Sequence, residues 1–165
     1  MKKSYLRKII RESVREIMNE QSGCTQNNPN TQLALQELNN VMSTYPPISP
    51  NAYGLTPQYT NLIDTSIANG NCCPAAQKYQ NMGNQLNNIQ GSGMIPCDGK
   101  NPQWAVKTFI KILYAADALN NSGCFASGAV NNCSLTEQTP EIKNYTFKFP
   151  DGRNVSIING KTTIS

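Results

Sequence analysis

The stretch "WAVKTFIKILYAADAL", from Trp104 to Leu119, decides the fold that we predict for this chain of 165 residues. Apolar residues occupy nearly every side of a helix drawn through it, a pattern typical of a helix that other helices surround. Asn101 and Pro102 add an N-cap and a first-turn proline directly before it. The stretch is shorter than the roughly 20 apolar residues of a membrane span, and charged residues interrupt it. It therefore predicts the central helix of a bundle rather than a transmembrane segment.

Three more helices are predicted between residues 29 and 89. Each begins with a capping residue or a proline in its first turn and carries apolar residues every three or four positions. The last of the three is rich in Asn and Gln and is interrupted by Gly83, which lowers its helix propensity. The predicted helices run from Pro29, with Asn28 as cap, to "YPPISP", from Pro57, with Thr56 as cap, to Gly70, and from Pro74 to about Ile89.

The sequence after residue 140 changes to the pattern of a β-sheet. Tyr145, Phe147 and Phe149 alternate with polar residues, which is the period of a strand with one buried face. "PDGR" and the pair Asn159–Gly160 are turn signals, and Asn-Gly favours a type I′ hairpin. We therefore predict a three-stranded antiparallel meander. A sheet of this size is too small to fold alone, so it must pack on the helices or pair with a neighbouring chain.

These patterns together predict a mainly α fold. A small bundle of four to five helices would be stapled by disulfides and followed by the C-terminal three-stranded antiparallel β-meander. The predicted segments are a basic amphipathic helix over residues 1–21, a linker over 22–30, a helical domain over 31–140 and the β-meander over 141–165.

Six cysteines and no histidine restrict the metal and disulfide chemistry. Zinc sites favour CxxC pairs or mixtures of Cys and His, and the sequence has neither. Every cysteine lies beside Gly, Asn or Pro in a predicted loop, where a disulfide would join neighbouring elements. The disulfide candidates are Cys24, Cys72, Cys73, Cys97, Cys124 and Cys133.

Two disulfide pairings follow from the loop lengths. Cys124 with Cys133 would close a loop of about ten residues. One of Cys72 or Cys73 with Cys97 would tie both ends of a helical arm. The alternative is that all six cysteines are reduced and packed as small apolar side chains. No apolar h-region follows the basic start, so we predict no signal peptide. A protein that is oxidised after its release from the cell would explain both the disulfide candidates and the absence of a signal peptide.

Residues able to carry catalysis are sparse. The absence of histidine excludes Ser/His/Asp and Cys/His arrangements, and the ten acidic residues form no close pair outside the first helix. The Cys72–Cys73 pair has no cluster of cations beside it that would lower a thiol pKa. "QGSGM" lacks the Gly-Lys-Ser/Thr of a phosphate loop. We therefore predict no enzymatic activity, no catalytic residue, no metal site and no cofactor. A thiol enzyme is the alternative, which alkylation would inactivate.

The net charge of +4 is concentrated near the start of the chain, where six of the 14 Lys and Arg residues fall within residues 1–20. A nucleic-acid surface needs a basic stripe, and the remaining sequence has no second cluster of Lys or Arg. Contact with nucleic acid is therefore predicted only through residues 2–15.

The first predicted helix, from about Ser4 to Glu20, is amphipathic. Its apolar residues recur every three or four positions, and a polar linker with Gly and Pro follows, so the helix would hang from a hinge. Three uses compete: docking on its own domain, lying on a membrane surface, or docking on another protein. The candidate docking residues are Leu6, Ile9, Ile10, Val14 and Ile17.

"MKKSYLRKIIRESVREIM" resembles the short basic amphipathic leaders of tailed-phage proteins, especially those of T-even-like phages of aquatic bacteria. In that family the leaders target proteins into the assembling prohead, and a prohead protease cuts after a Leu/Ile-x-Glu tripeptide. Ile10-Arg11-Glu12 fits that pattern and Met18-Asn19-Glu20 comes close, so the resemblance implies processing after Glu12 or Glu20. The body, with its Trp-containing helix between cysteines, also resembles small phage and environmental proteins.

The resemblance implies a non-enzymatic virion structural or capsid-associated protein. It would be made in the host cytoplasm, be located in the virion, and dock on other virion or capsid proteins through its first helix. A second copy of the chain would be a further partner if the terminal strands paired edge to edge. The alternative is a small binding or regulatory protein whose basic helix engages nucleic acid or an anionic membrane surface.

Overall fold

The helices and strands follow the order that the sequence predicts. The computed structural model describes residues 3–21, 29–89, 102–133, 144–149 and 153–165. The predicted mainly α fold with a C-terminal antiparallel meander is confirmed. Its elements are α1 (Lys3–Gln21), α2 (Pro29–Thr44), α3 (Pro57–Ala68), α4 (Cys73–Ile89), α5 (Pro102–Asn121), a short 3-10 helix (Ala129–Asn132), β1 (Tyr145–Lys148), β2 (Asn154–Ile158) and β3 (Lys161–Ile164).

α5 is the centre of the bundle. α2, α3 and α4 all pack on it, and most of its apolar side chains are buried, while Trp104, Tyr114 and Ala118 are partly buried. Val106, Phe109, Ile110 and Leu113 are completely buried. Burying a side chain of that size stabilises the fold by about 1.5 to 3 kcal/mol. The apolar pattern of residues 104–119 therefore reflects the central position of α5 in the bundle, as predicted.

Local signals explain where the helices begin. Thr56 is the N-cap of α3, and its hydroxyl accepts a hydrogen bond from the Tyr59 amide at 3.3 Å. α2 and α5 begin at Pro29 and Pro102. Proline is favourable there because the N–H that it lacks would have no intrahelical partner in the first turn. The predicted caps that lie outside the described residues are Asn28 and Asn101.

Gly83 interrupts α4 for a packing reason. A Cβ at this position would lie 2.5 Å from the ring of Tyr145 on β1, which is far inside the optimal separation of two carbon atoms. The Tyr145 hydroxyl donates a hydrogen bond to the Asn84 side-chain oxygen at 2.6 Å. The glycine therefore lets the first strand lie directly on the helix, and this contact offsets its low helix propensity.

The three strands form an antiparallel meander in which β2 is central. Phe147 and Phe149 pack edge-on against Phe109 of α5, with ring centroids 5.8 Å and 4.8 Å apart. Asn159 and Gly160 both have positive φ, 51° and 80°, as a type I′ turn requires. The meander therefore packs on the bundle, and the predicted turn is confirmed.

Two disulfides join the start of α4 to the segment that follows α5. Their Cα–Cα distances are 6.0 Å and 5.3 Å, and they link Cys72 to Cys124 and Cys73 to Cys133. The predicted pairing of Cys124 with Cys133 is therefore wrong. The predicted pairing of Cys72 or Cys73 with Cys97 is also wrong, since both members of the vicinal pair are already bonded elsewhere.

Chain direction is the physical reason for these pairings. α4 and α5 pack against each other along their lengths, and the Cys124 amide donates a hydrogen bond to the Leu119 carbonyl where the chain leaves α5. The segment after α5 therefore lies over the start of α4, where the vicinal cysteines are. The cysteines that lie outside the described residues are Cys24 and Cys97.

Candidate functional site

The apolar residues near the start of α1 are exposed. Leu6, Ile9 and Ile10 have exposed fractions of 49%, 42% and 52%, and every residue from 3 to 12 is exposed. These three residues are three and four positions apart, so they share one face of the helix. We call them the N-terminal stripe. Three of the five predicted docking residues are therefore available to a partner.

Basic side chains lie on the other side of α1. Lys8 and Arg11 are exposed, and they lie roughly opposite the N-terminal stripe because successive residues are about 100° apart around a helix. Glu12, a predicted processing residue, is exposed as well. The predicted site residues of α1 whose side chains lie outside the described part are Val14, Ile17 and Glu20.

β3 forms an edge of the described sheet. It follows β2 at the end of the strand order, and its residue Ile164 is 43% exposed. An edge strand offers N–H and C=O groups to an added strand. This edge is a second candidate surface for a partner chain.

The described cysteines offer no free thiol. Cys72, Cys73, Cys124 and Cys133 are all in disulfides, so the vicinal pair has no thiolate to act as a nucleophile. Among the residues that the structure describes, no group of three or more Cys, Asp or Glu side chains could hold a metal ion. None of the helices in the described ranges is long and apolar enough to cross a membrane.

A cavity of about 440 Å³ lies between the α2–α3 connection, α3, the end of α5 and β3. The connection contributes Pro46 and Pro47, whose peptide bonds to the preceding residues are both cis. Carboxylates, phenols and an ammonium group line the cavity together with apolar side chains. We call it the Tyr–Asp cavity, after the four lining residues Tyr45, Asp64, Tyr114 and Asp117.

The first carboxylate of the Tyr–Asp cavity is Asp117 of α5. The Tyr45 hydroxyl donates a hydrogen bond to Asp117 Oδ1 at 2.9 Å. Burial raises the pKa of Asp117 to about 6, and the hydrogen bond from Tyr45 only partly offsets this rise. Burial also raises the pKa of Tyr45 to about 12. At neutral pH the phenol is therefore a proton donor and the carboxylate is mostly ionised.

The second carboxylate is Asp64 of α3. Both of its oxygens accept from the Tyr114 hydroxyl, at 2.7 Å and 2.8 Å. Burial, together with this hydrogen bond, raises the pKa of Tyr114 to about 12. The Tyr114 ring contacts the ring of Tyr59, with centroids 6.3 Å apart. Each carboxylate is therefore oriented by a tyrosine that comes from a different element of the fold.

Sequence reasoning missed these two carboxylates as a site. Asp64 and Asp117 belong to different helices and are far apart in the sequence, so their spacing did not indicate a shared cavity. The sequence carried no local signal for them, because Tyr114 binds Asp64 of another helix and Asp117 is bound by the distant Tyr45. Among the predicted disulfide, docking and processing residues whose side chains the structure describes, none lines the Tyr–Asp cavity.

No protein-family model matches this chain, no curated protein matches it, and no solved structure matches it. The case for a function therefore rests on the surfaces described above. These are the N-terminal stripe, the β3 edge and the Tyr–Asp cavity.

Proposed function

We propose that this protein is a non-enzymatic, capsid-associated component of a phage particle that docks on other virion proteins through α1. The observation that carries the proposal is the exposure of Leu6, Ile9 and Ile10 on a helix whose residues 3–12 are all exposed. An aliphatic side chain that becomes buried contributes about 1.5 to 3 kcal/mol. Anchors at i, i+3 and i+4 are those that a helix uses when it binds in an apolar groove of a partner.

The leader sequence supports a phage particle as the location. "MKKSYLRKIIRESVREIM" resembles leaders that target proteins into proheads, and its residues Ile10, Arg11 and Glu12 are exposed on α1. The two disulfides fit a protein that meets an oxidising environment after host lysis. These features support the choice of partner, whereas the docking itself rests on the N-terminal stripe.

Site-specific photo-crosslinking in assembling particles tests the docking. A photoreactive residue replaces Ile10 in one variant and Lys8 in the matched control, because these two positions lie on opposite sides of α1. We expect the residue at position 10 to crosslink to a capsid or scaffold protein, and the residue at position 8 to crosslink much less. Equal crosslinking at both positions would contradict docking through the stripe. Absence of the protein from purified particles would contradict the virion assignment.

Intact mass of the particle-associated protein tests the proposed processing. Loss of residues 1–12 or 1–20 is expected if α1 is an address that a prohead protease removes after Glu12 or Glu20. A full-length mass would contradict processing and would make α1 a permanent docking helix.

A second candidate function rests on the charge of α1. Lys3, Arg7, Lys8 and Arg11 are all exposed, which would let the helix lie on an anionic membrane or contact nucleic acid. Binding that neutralises several phosphates weakens steeply as salt increases. Binding to duplex DNA or to anionic vesicles that is lost between low and moderate salt would favour this function. Capsid binding that is insensitive to salt would favour docking through the N-terminal stripe.

A further inference from the structure

We infer that the Tyr–Asp cavity binds a neutral, polyhydroxylated ligand of the size of a mono- or disaccharide. The inference goes beyond the proposed docking function and does not depend on it, because none of the described side chains of α1, at residues 3–12, lines the cavity. The volume of about 440 Å³ lies within the roughly 300–1,000 Å³ that is typical of small-molecule sites.

The two carboxylates have acceptor sites that no described residue fills. Tyr45 donates to Asp117 Oδ1, and no other described residue donates to this carboxylate, although an ionised carboxylate has about four acceptor sites. Asp64 accepts only from the Tyr114 hydroxyl among the described residues. Asp117 is half-buried and Asp64 is exposed, so their remaining acceptor sites face the open side of the cavity. The hydroxyl groups of a ligand can take the place of water at these acceptor sites.

The same cavity also supplies donors of its own. Lys161 of β3 lines it, as do Asn120 and Asn121 at the end of α5. The Thr162 hydroxyl is buried at the cavity wall beside Tyr45. A hydroxyl group both donates and accepts. A ligand that carries several hydroxyls can therefore satisfy the carboxylates and these donors at the same time.

Apolar surface completes the match to a sugar ring. Pro46, Pro47 and Ile48 line the cavity beside the tyrosines. A pyranose ring presents C–H groups on its faces and hydroxyls around its edge. The C–H groups would pack on the proline and tyrosine rings, while the edge hydroxyls reach the carboxylates and amides.

The lining disfavours an anion through its charge and an amine through its hydrogen-bond donors. An anion such as phosphate would face Asp64 and Asp117, with Lys161 as the single cation among the described residues that line the cavity. An amine would pair with the carboxylates, but it would face Lys161 and would leave the amide donors unused. A neutral ligand avoids both conflicts.

Ligand titration of the full-length protein, followed by two-dimensional NMR of its amide groups, tests the inference. The probes are glucose, maltose and a soluble neutral polysaccharide, with putrescine and inorganic phosphate as charged comparisons. We expect saturable shifts at residues that line the cavity, with dissociation constants in the millimolar range for the small sugars. A higher affinity for the polysaccharide would identify a polymer as the source of the ligand, and a higher affinity for the small sugars would identify a free sugar. Both results support the shared chemistry.

Two variants locate the binding. Asp117→Asn keeps an acceptor for Tyr45 but removes the charge, and we expect it to weaken sugar binding about tenfold, the effect of losing one good hydrogen bond to a charged group. Glu37→Gln on α2 makes the same charge change outside the cavity and should leave binding unchanged. If Asp117→Asn does not give a folded spectrum, Lys161→Gln on the exposed strand is used instead, and it should weaken binding as well.

Three results would overturn the inference. The first is an absence of saturable shifts with all of the sugars. The second is tighter binding of putrescine or phosphate than of maltose. The third is an equal loss of sugar binding in Glu37→Gln and in the cavity variant.

Discussion

α1 and α5 are nearly equal in length, 19 and 20 residues, and both repeat apolar residues every three or four positions. In α5 most of these residues are buried, whereas Leu6, Ile9 and Ile10 of α1 are exposed. α2, α3, α4 and β3 pack on α5, while residues 3–12 of α1 have no such cover. The comparison teaches that the same periodicity serves the core in one helix and leaves an exposed apolar stripe on the other, which we propose as the docking surface.

The largest expected effect is in α5. Phe109→Ala removes a fully buried ring that packs on Phe147 and Phe149, so we expect the free energy of unfolding to fall by about 3 to 5 kcal/mol. Ile10→Ala in α1 should change it by less than about 0.5 kcal/mol, because that side chain is already exposed. Urea denaturation followed by circular dichroism measures both. Similar losses in the two variants would show that α1 packs on its own chain.

The next effect comes from the disulfides that hold α4 to the segment after α5. The double variant Cys73→Ser with Cys133→Ser removes one of them, and we expect the free energy of unfolding to fall by about 2 to 4 kcal/mol. Deletion of α1 should leave this free energy unchanged, since no described crosslink reaches that helix. The same denaturation experiment measures both variants.

Single substitutions verify which cysteines are paired. Cys72→Ser should leave Cys124 open to alkylation, and Cys73→Ser should leave Cys133 open. Peptide mass after alkylation identifies the modified residue. Alkylation of the opposite cysteine in either variant would contradict these pairings.

A smaller effect is expected in the sheet that covers α5. Gly160 has φ +80°, and a Cβ there would lie 2.1 Å from the Phe125 ring, so Gly160→Ala should lower the free energy of unfolding by about 2 to 3 kcal/mol. Gly70 has φ +76° but open space around it, so Gly70→Ala should lose only about 1 kcal/mol. Thermal denaturation compares the two. Equal losses would show that Phe125 moves aside without cost.

The smallest effect is a pH dependence from Asp117 of α5. Burial raises the pKa of Asp117 from 3.8 to about 6. Between those two values the unfolded chain has released a proton that the folded chain retains, so stability falls as the pH rises from about 4 to about 6 and is then level. Because the side chain is partly in contact with water, we expect a fall of about 1 to 2 kcal/mol.

Asp117→Asn is the control for this pH dependence. It cannot ionise, and its side-chain oxygen can still accept from Tyr45. Denaturation at several pH values should show a flatter profile in this variant. An unchanged profile would assign the pH dependence to other groups.

The elements of this fold could be predicted because their signals are local. Thr56 and Pro57 begin α3 through contacts within one turn of the helix, and Asn159 with Gly160 sets the last hairpin through its own φ angles. The all-round apolar pattern of α5 predicted its central position for the same reason, since it needs no knowledge of which helices surround it.

The disulfide pairing and the Tyr–Asp cavity could not be predicted, because both depend on how distant segments meet. Loop length favoured Cys124 with Cys133, but the position of α4 beside α5 brings Cys72 and Cys73 to them instead. Asp64 and Asp117 likewise share a cavity only after α3 packs on α5. The predicted docking surface of α1 needed no such packing, and its described residues Leu6, Ile9 and Ile10 are exposed.

Hydrogen exchange of α1 and α5, with and without capsid shells, tests the central claim most directly. In the free protein we expect fast exchange over residues 3–12 and slow exchange in α5, because exposed helices open more easily than buried ones. Adding the shells should slow the exchange of α1 and leave α5 unchanged. Slow exchange of α1 in the free protein, or no change when the shells are added, would contradict the claim that α1 docks on a capsid protein.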